Sequence, residues 1–187
     1  MTLTFEVELP GGEDRLREMV LYVAHRCGTA QRFGKVKLNK ILWRADFTAF
    51  RERGRPVTGS AYQKLAAGPA PLDMDDVLSG LQSDRLLSFE ERAAGGDYVE
   101  HRIIGHREAD LRLFGVDDIG FVDGSIDFYW SKSASTASDL SHSVAWRSKA
   151  FLEKMPYESV FLSDRKLGRS EKDRFHALAK AKAWKSL

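Results

Sequence analysis

Apolar positions between Val36 and Phe50 set the frame for the whole chain. Val36, Leu38, Ile41, Leu42, Ala45, Ala49 and Phe50 recur at three- and four-residue spacings, the period of an apolar helical stripe. Trp43 and Phe47 widen that stripe beyond one face. The pattern predicts a helix over residues 36–52 that neighbours cover on several sides, with the rest of the chain packed around it. Gly54 and then Pro56 end it, a glycine-then-proline stop signal.

The flanking segments read more simply. Leu3, Phe5, Val7 and Leu9 alternate with polar residues, which predicts an N-terminal strand over 2–9 closed by Pro10-Gly11-Gly12. Leu16, Met19, Val20, Val23 and Cys27 give an amphipathic helix over Glu13 to Arg26. Beyond the central helix, residues 56–62 read as extended, and Gly68-Pro69-Ala70-Pro71 as a rigid corner, since each proline fixes a backbone angle. A helix over Met74 to Ser83 capped by Asp73 comes next, with Val77, Leu78 and Leu81 inward. Leu86 to Glu90 and Tyr98 to Ile104 form two strands about the turn Ala94-Gly95-Gly96-Asp97. A further helix runs from Val116 to about Ser131. Thr136 to Asp139 has a capping-box pattern, and Ser143 recaps a second short helix that includes Val144, Ala145, Trp146 and Phe151. Together these resemble a helix-turn-helix. Ser170 to Asp173 repeats the capping pattern ahead of a last amphipathic helix over 170–185. The expected fold is mainly α (α+β): a compact helical domain with a small antiparallel β-hairpin and a helix-turn-helix-like C-terminal part. The chain is read as a single domain over 1–187, with a core over 13–158.

Composition adds bounds rather than chemistry. The 187 residues are 43% hydrophobic and 30% charged, an ordinary globular balance. One cysteine, Cys27, excludes an internal disulfide, as expected for a reducing cytosol. No run of eighteen apolar residues is present, so no membrane-spanning helix is expected. The N-terminus lacks a basic start and an apolar core, so it does not read as a signal peptide and a cytoplasmic place is expected. Net charge is +2. Its distribution is uneven: Arg165 to Leu187 carries +6 and the other 164 residues −4. A basic terminal helix on a mildly acidic body either solvates that end or meets a polyanion or an acidic protein surface.

Catalytic constellations are weak throughout. Ser141, His142 and Ser143 are adjacent, and neighbours on a helix do not face one another, so capping accounts for them better than a nucleophile and base. Cys27 sits at a helix C-terminus, where the dipole disfavours a thiolate. His101 and His106 lack a metal-spaced partner. The Gly68–Pro71 segment is a poor phosphate loop, because two prolines remove backbone donors. No enzyme, metal or cofactor is expected.

Five motifs in order carry a resemblance. Lys37-Leu38-Asn39-Lys40-Ile41-Leu42-Trp43-Arg44-Ala45-Asp46 is similar to the opening lysine-bearing helix of the Panacea domain, the SocA-like antitoxin family. Arg53 to Thr58 resembles its glycine-proline turn, and Ala67-Gly68-Pro69-Ala70-Pro71 its Gly-Pro corner with Asp75 to Leu78 after it. Leu140-Ser141-His142-Ser143-Val144-Ala145-Trp146 resembles its S-H-x-x-x-W signature, and Met155-Pro156-Tyr157-Glu158 its closing I-P-Y-E. Asn39 and Trp43 stand where Gln and Tyr are commoner, and Ala67 where a larger or basic residue is common.

The resemblance implies an antitoxin that neutralises a cognate toxin protein by direct binding. The alternatives it leaves are a proteolytic adaptor that delivers the toxin to an ATP-dependent protease, or a DNA-binding autoregulator. Candidate partner-binding residues are Lys40, Trp43, Asp46, Gly68, Pro69, Ser141, His142, Trp146 and Tyr157; each has a competing role in packing or capping. The N-terminal strand and basic C-terminal helix are the expected adaptable contacts, by strand addition or helix-in-groove docking. Against DNA, Asp139 and His142 with only Arg147 and Lys149 make a poor reading surface.

Overall fold

The computed structural model describes residues 3–30, 32–93, 99–166 and 168–181. Seven helices and five strands are present among them: α1 (Asp14–Arg26), α2 (Lys35–Arg53), β1 (Tyr62–Leu65), β2 (Gly68–Pro71), α3 (Met74–Ser83), β3 (Leu87–Ala93), β4 (Val99–Gly105), α4 (Val116–Tyr129), α5 (Ala134–Ser141), α6 (Val144–Arg147), β5 (Lys154–Met155) and α7 (Arg169–Ala181). This is the expected mainly helical α+β domain.

The apolar stripe of α2 buries Leu38, Ile41, Leu42, Ala45 and Ala49 in one cluster with α1, α3, α4 and the β3–β4 hairpin. Its opposite side carries Phe47 into a second cluster with Tyr62, Ala145, Met155 and Tyr157. One helix therefore serves two cores, as its broad stripe implied. Gly54 ends it at φ +71, its N–H donating to Phe50 O at 2.8 Å, a left-handed C-cap that glycine adopts at low cost.

Two small antiparallel sheets brace these cores. In the first, β1 lies between β2 and β5, with Tyr62 opposite Pro71 on one side and Met155 on the other. The second is the β3–β4 hairpin, Leu87 opposite Gly105 and Ala93 opposite Val99; its expected turn at 94–97 lies outside the described residues.

Several expectations need correction. Residues 3–9 form no strand, and Thr2 lies outside the described residues. Val7 N–H donates to Gly59 O at 2.9 Å, whereas Thr4 O accepts from Tyr157 N–H at 2.8 Å. The bonds go to two separate segments, so no continuous ladder forms. Gly68–Pro71 is a strand rather than a corner. It is an edge strand, where proline is tolerated; Leu72 N–H donates to Ala61 O, so the positions two apart, Pro69 and Pro71, turn their missing donors away from β1. The cap of α5 is Ser133, not Thr136, whose own N–H donates to Ser133 Oγ at 3.1 Å. The two short helices expected near Trp146 are both present, but α6 is a single turn of four residues, too short to lie along a DNA groove. Phe151 lies beyond it, in a turn. For the last helix, Glu171 reaches back to Gly168 N–H at 2.8 Å, so the capping role falls two residues earlier than Ser170–Asp173; residues 182–185 lie outside the described residues.

Apart from the half-buried Glu171, the described side chains of α7 are exposed. Deleting residues 169–187 is expected to leave the remainder folded, with an unfolding free energy from urea melts within about 0.5 kcal/mol of wild type; a chain that fails to fold would place this helix in the core.

Candidate partner-binding site

The nine candidate residues gather around α2, but into three different settings. The first is a buried polar junction. Lys40, on the α2 face turned toward β2, is 1% exposed, and its ammonium donates to Pro69 O at 2.7 Å. Gly68, at φ +100, lies against it. Ser141, at the end of α5, is 0% exposed and donates to Ser138 O at 2.6 Å. A Cβ on Gly68 would stand 2.8 Å from Lys40 Cε and 2.9 Å from its Nζ, and closer still to Ser141 Oγ. The glycine is thus required twice, by its backbone angle and by its two neighbours.

Burial lowers the Lys40 pKa to about 7, because a desolvated ammonium is costly. In the unfolded chain the same amine titrates near 10.5. Between those values the unfolded state binds the extra proton, so stability should rise as pH rises from 7 to 9, by about 2 kcal/mol. Burial lowers Lys37 in the same sense. Cys27, pushed up to about 11, opposes the trend once an unfolded thiol ionises, from about pH 8.5, whereas Tyr22 and Tyr129, pushed up to about 12, do so only above this window. Urea melts at pH 7 and pH 9 should show the rise, and Lys40→Met should remove most of it. A Lys40→Met slope equal to wild type would contradict the assignment.

The second setting is the Asp46 node. Asp46 is 0% exposed. It accepts from Val57 N–H at 2.8 Å, Thr58 N–H at 2.7 Å, Tyr62 OH at 2.8 Å, and the Thr58 hydroxyl. Burial pushes its carboxyl upward against these four donors. It also pushes up the Tyr62 and Tyr157 phenols, which the nearby carboxylate reinforces. The carboxylate folds the chain after Gly54 back onto α2. Tyr157 closes the same region: its ring stacks on Phe50 at 5.1 Å and 24°, and its hydroxyl donates to Ser60 O at 2.6 Å. Trp43 lies 5.6 Å from Phe47, half-buried, with its indole N–H lacking an acceptor among the described residues.

The third setting reaches the surface. The His142 ring stacks on Trp146 at 3.7 Å and 15°, and Lys64 Nζ lies 4.0 Å from the same indole. The indole N–H donates to Leu65 O at 3.0 Å, fastening α6 to β1. The His142 ring packs on Trp146, with Nε2 3.4 Å from Ser138 Oγ. Ser141 and His142 thus engage different partners and form no nucleophile–base pair. Lys40 and Ser141 share a neighbourhood, and both are buried.

Six of the nine residues, Lys40, Asp46, Gly68, Pro69, Ser141 and Tyr157, are buried; Trp43, His142 and Trp146 are half-buried. The signature motifs thus read first as a scaffold that locks α2, β1–β2 and α5–α6 together. Sequence reasoning missed Thr58, Tyr62 and Lys64, which complete these settings. Thr58 and Tyr62 lie in the stretch read as extended, and no sequence signal marks Lys64 or the partners of any of the three. Among the described residues, no group of three or more His, Cys, Asp or Glu is arranged to hold a metal, and no helix is long and apolar enough to cross a membrane.

A family model described as antitoxin SocA-like, Panacea domain, matches residues 38–147. That span includes α2 from Leu38 onward, β1 to β4 and α3 to α6, and so takes in every side chain of the settings described above except Tyr157. No curated protein and no solved structure matches the chain.

Proposed function

The chain belongs to the SocA-like antitoxin, Panacea-domain family, and on that premise we propose that it neutralises a toxin protein by binding it directly. The observation that supports this reading most is the family match over residues 38–147. The burial of the signature residues fits with it. Lys40, Asp46, Gly68 and Ser141 spend their hydrogen-bonding capacity inside the fold, which leaves partner recognition to surface segments that family members need not share. In this reading all 187 residues act as one unit, in the cytoplasm where the toxin acts, without a cofactor and without a catalytic step of its own.

Co-expression with the product of the adjacent open reading frame tests the proposal. If that product arrests growth, this chain should restore it and co-purify with it in stoichiometric amount. Rescue that requires an ATP-dependent protease, with no stable complex, would replace neutralisation by binding with delivery for degradation. A DNA-binding role is the weaker alternative, because the one-turn α6 offers no recognition helix.

A further inference from the structure

The turn from Ala150 to Glu153 carries two large apolar side chains into solvent. Phe151 is 64% exposed and Leu152 55%. Leu152 also holds φ +65, a left-handed conformation that is unfavourable for a residue carrying a Cβ. Glycine or asparagine would fill that position without strain. A leucine kept there, exposed and strained, gains nothing for the fold; strain of this kind marks a site that acts on something else.

The turn is rigid. Leu152 N–H donates to Lys64 O at 2.9 Å, and Lys64 N–H donates to Glu153 O at 3.0 Å, which extends the β1–β5 pairing to the tip. Glu153 accepts from Ala150 N–H at 2.8 Å and pairs with Lys149 at 2.7 Å. Lys64 also donates to Lys149 O at 2.8 Å while its ammonium rests on the Trp146 ring. The signature tryptophan therefore braces the lysine that braces the turn. A protrusion held this way loses little conformational freedom when a partner closes on it.

Charge indicates the partner. Residues 147–154 hold Arg147, Lys149 and Lys154 against Glu153; Arg147 pairs with Asp164 at 2.9 Å and Lys149 with Glu153, which leaves Lys154 as the cation beside the tip. Lys154, exposed and next to the tip, has no ion pair among the described residues. We propose that the Phe151–Leu152 turn is an anchor that inserts into an apolar pocket rimmed by carboxylates on the toxin protein. This rests on the antitoxin reading above.

The test uses the full chain and, as probe, the purified product of the adjacent open reading frame. Leu152→Gly should melt at or above the wild-type temperature, because it relieves the left-handed leucine, yet weaken binding at least about tenfold. Phe151→Ser should fold as wild type and weaken binding comparably. Lys154→Glu should slow association several-fold, with the deficit shrinking as salt rises. Wild-type binding that both tip variants retain in full would overturn the proposal alone. A wild-type chain that binds nothing would overturn the antitoxin reading and the anchor with it. Self-association lost in the tip variants, with toxin binding intact, would reassign the turn to contacts between copies of this chain and overturn the proposal as well.

Discussion

Gly68→Ala is expected to destabilise the chain by about 3 to 5 kcal/mol, a large share of the roughly 5–15 kcal/mol that holds a domain folded. Two costs combine. The residue sits at φ +100, outside the range an alanine adopts readily, at roughly 1–3 kcal/mol. Its new Cβ would also press on Lys40 Cε at 2.8 Å and Nζ at 2.9 Å and on the buried Ser141 hydroxyl, and overpacking a closed site costs roughly 1–3 kcal/mol. Neither neighbour retreats easily: Lys40 is held to Pro69 O and Ser141 to Ser138 O. Urea unfolding gives the number. Ser141→Ala in the same chain should restore part of the loss by removing the nearest atom. A loss under about 1 kcal/mol would mean that the junction is looser than its distances imply.

Asp46→Ala should cost about 4 to 5 kcal/mol, at the upper end for a single substitution. The carboxylate is the acceptor for two backbone N–H groups and two hydroxyls that have been withdrawn from water. Each donor left unmet costs roughly 1–3 kcal/mol, without simple additivity. Asp46→Asn keeps the shape and one acceptor oxygen, so it should lose about half as much. Guanidinium melts separate the three proteins, and an alanine variant as stable as the asparagine one would show that the loop at Val57–Thr58 needs no acceptor.

How much of this was legible in the sequence follows from the range of the forces involved. The α2 stripe, its glycine stop and the β3–β4 hairpin rest on spacings within a dozen residues, and local periodicity shows them. Long-range pairings were not visible. Residues 3–9 alternate like a strand, but only the placement of Gly59 and Tyr157 shows that their bonds diverge. Gly68–Pro71 reads as a corner until β1 lies beside it. Ser133 rather than Thr136 caps α5, its hydroxyl accepting the Thr136 N–H; two capping residues three positions apart leave the local pattern unable to choose between them. The candidate residues were found through motif order, yet their setting was hidden. Lys40 and Asp46 look like surface charges in a helix, and become core groups only once Pro69 O and the Val57–Thr58 loop arrive to meet them. The exposed Phe151 and Leu152 were absorbed, on apolar character alone, into an expected helix or left unremarked.

The central claim is direct binding between this chain and a toxin protein. Isothermal titration of the purified chain against the purified product of the adjacent open reading frame, with no protease present, tests it most directly. A saturable, stoichiometric signal with dissociation constant at or below about 1 μM, roughly 8 kcal/mol of binding free energy, is the expected result. No heat and no complex at tens of micromolar, alongside growth rescue in cells, would contradict neutralisation by binding.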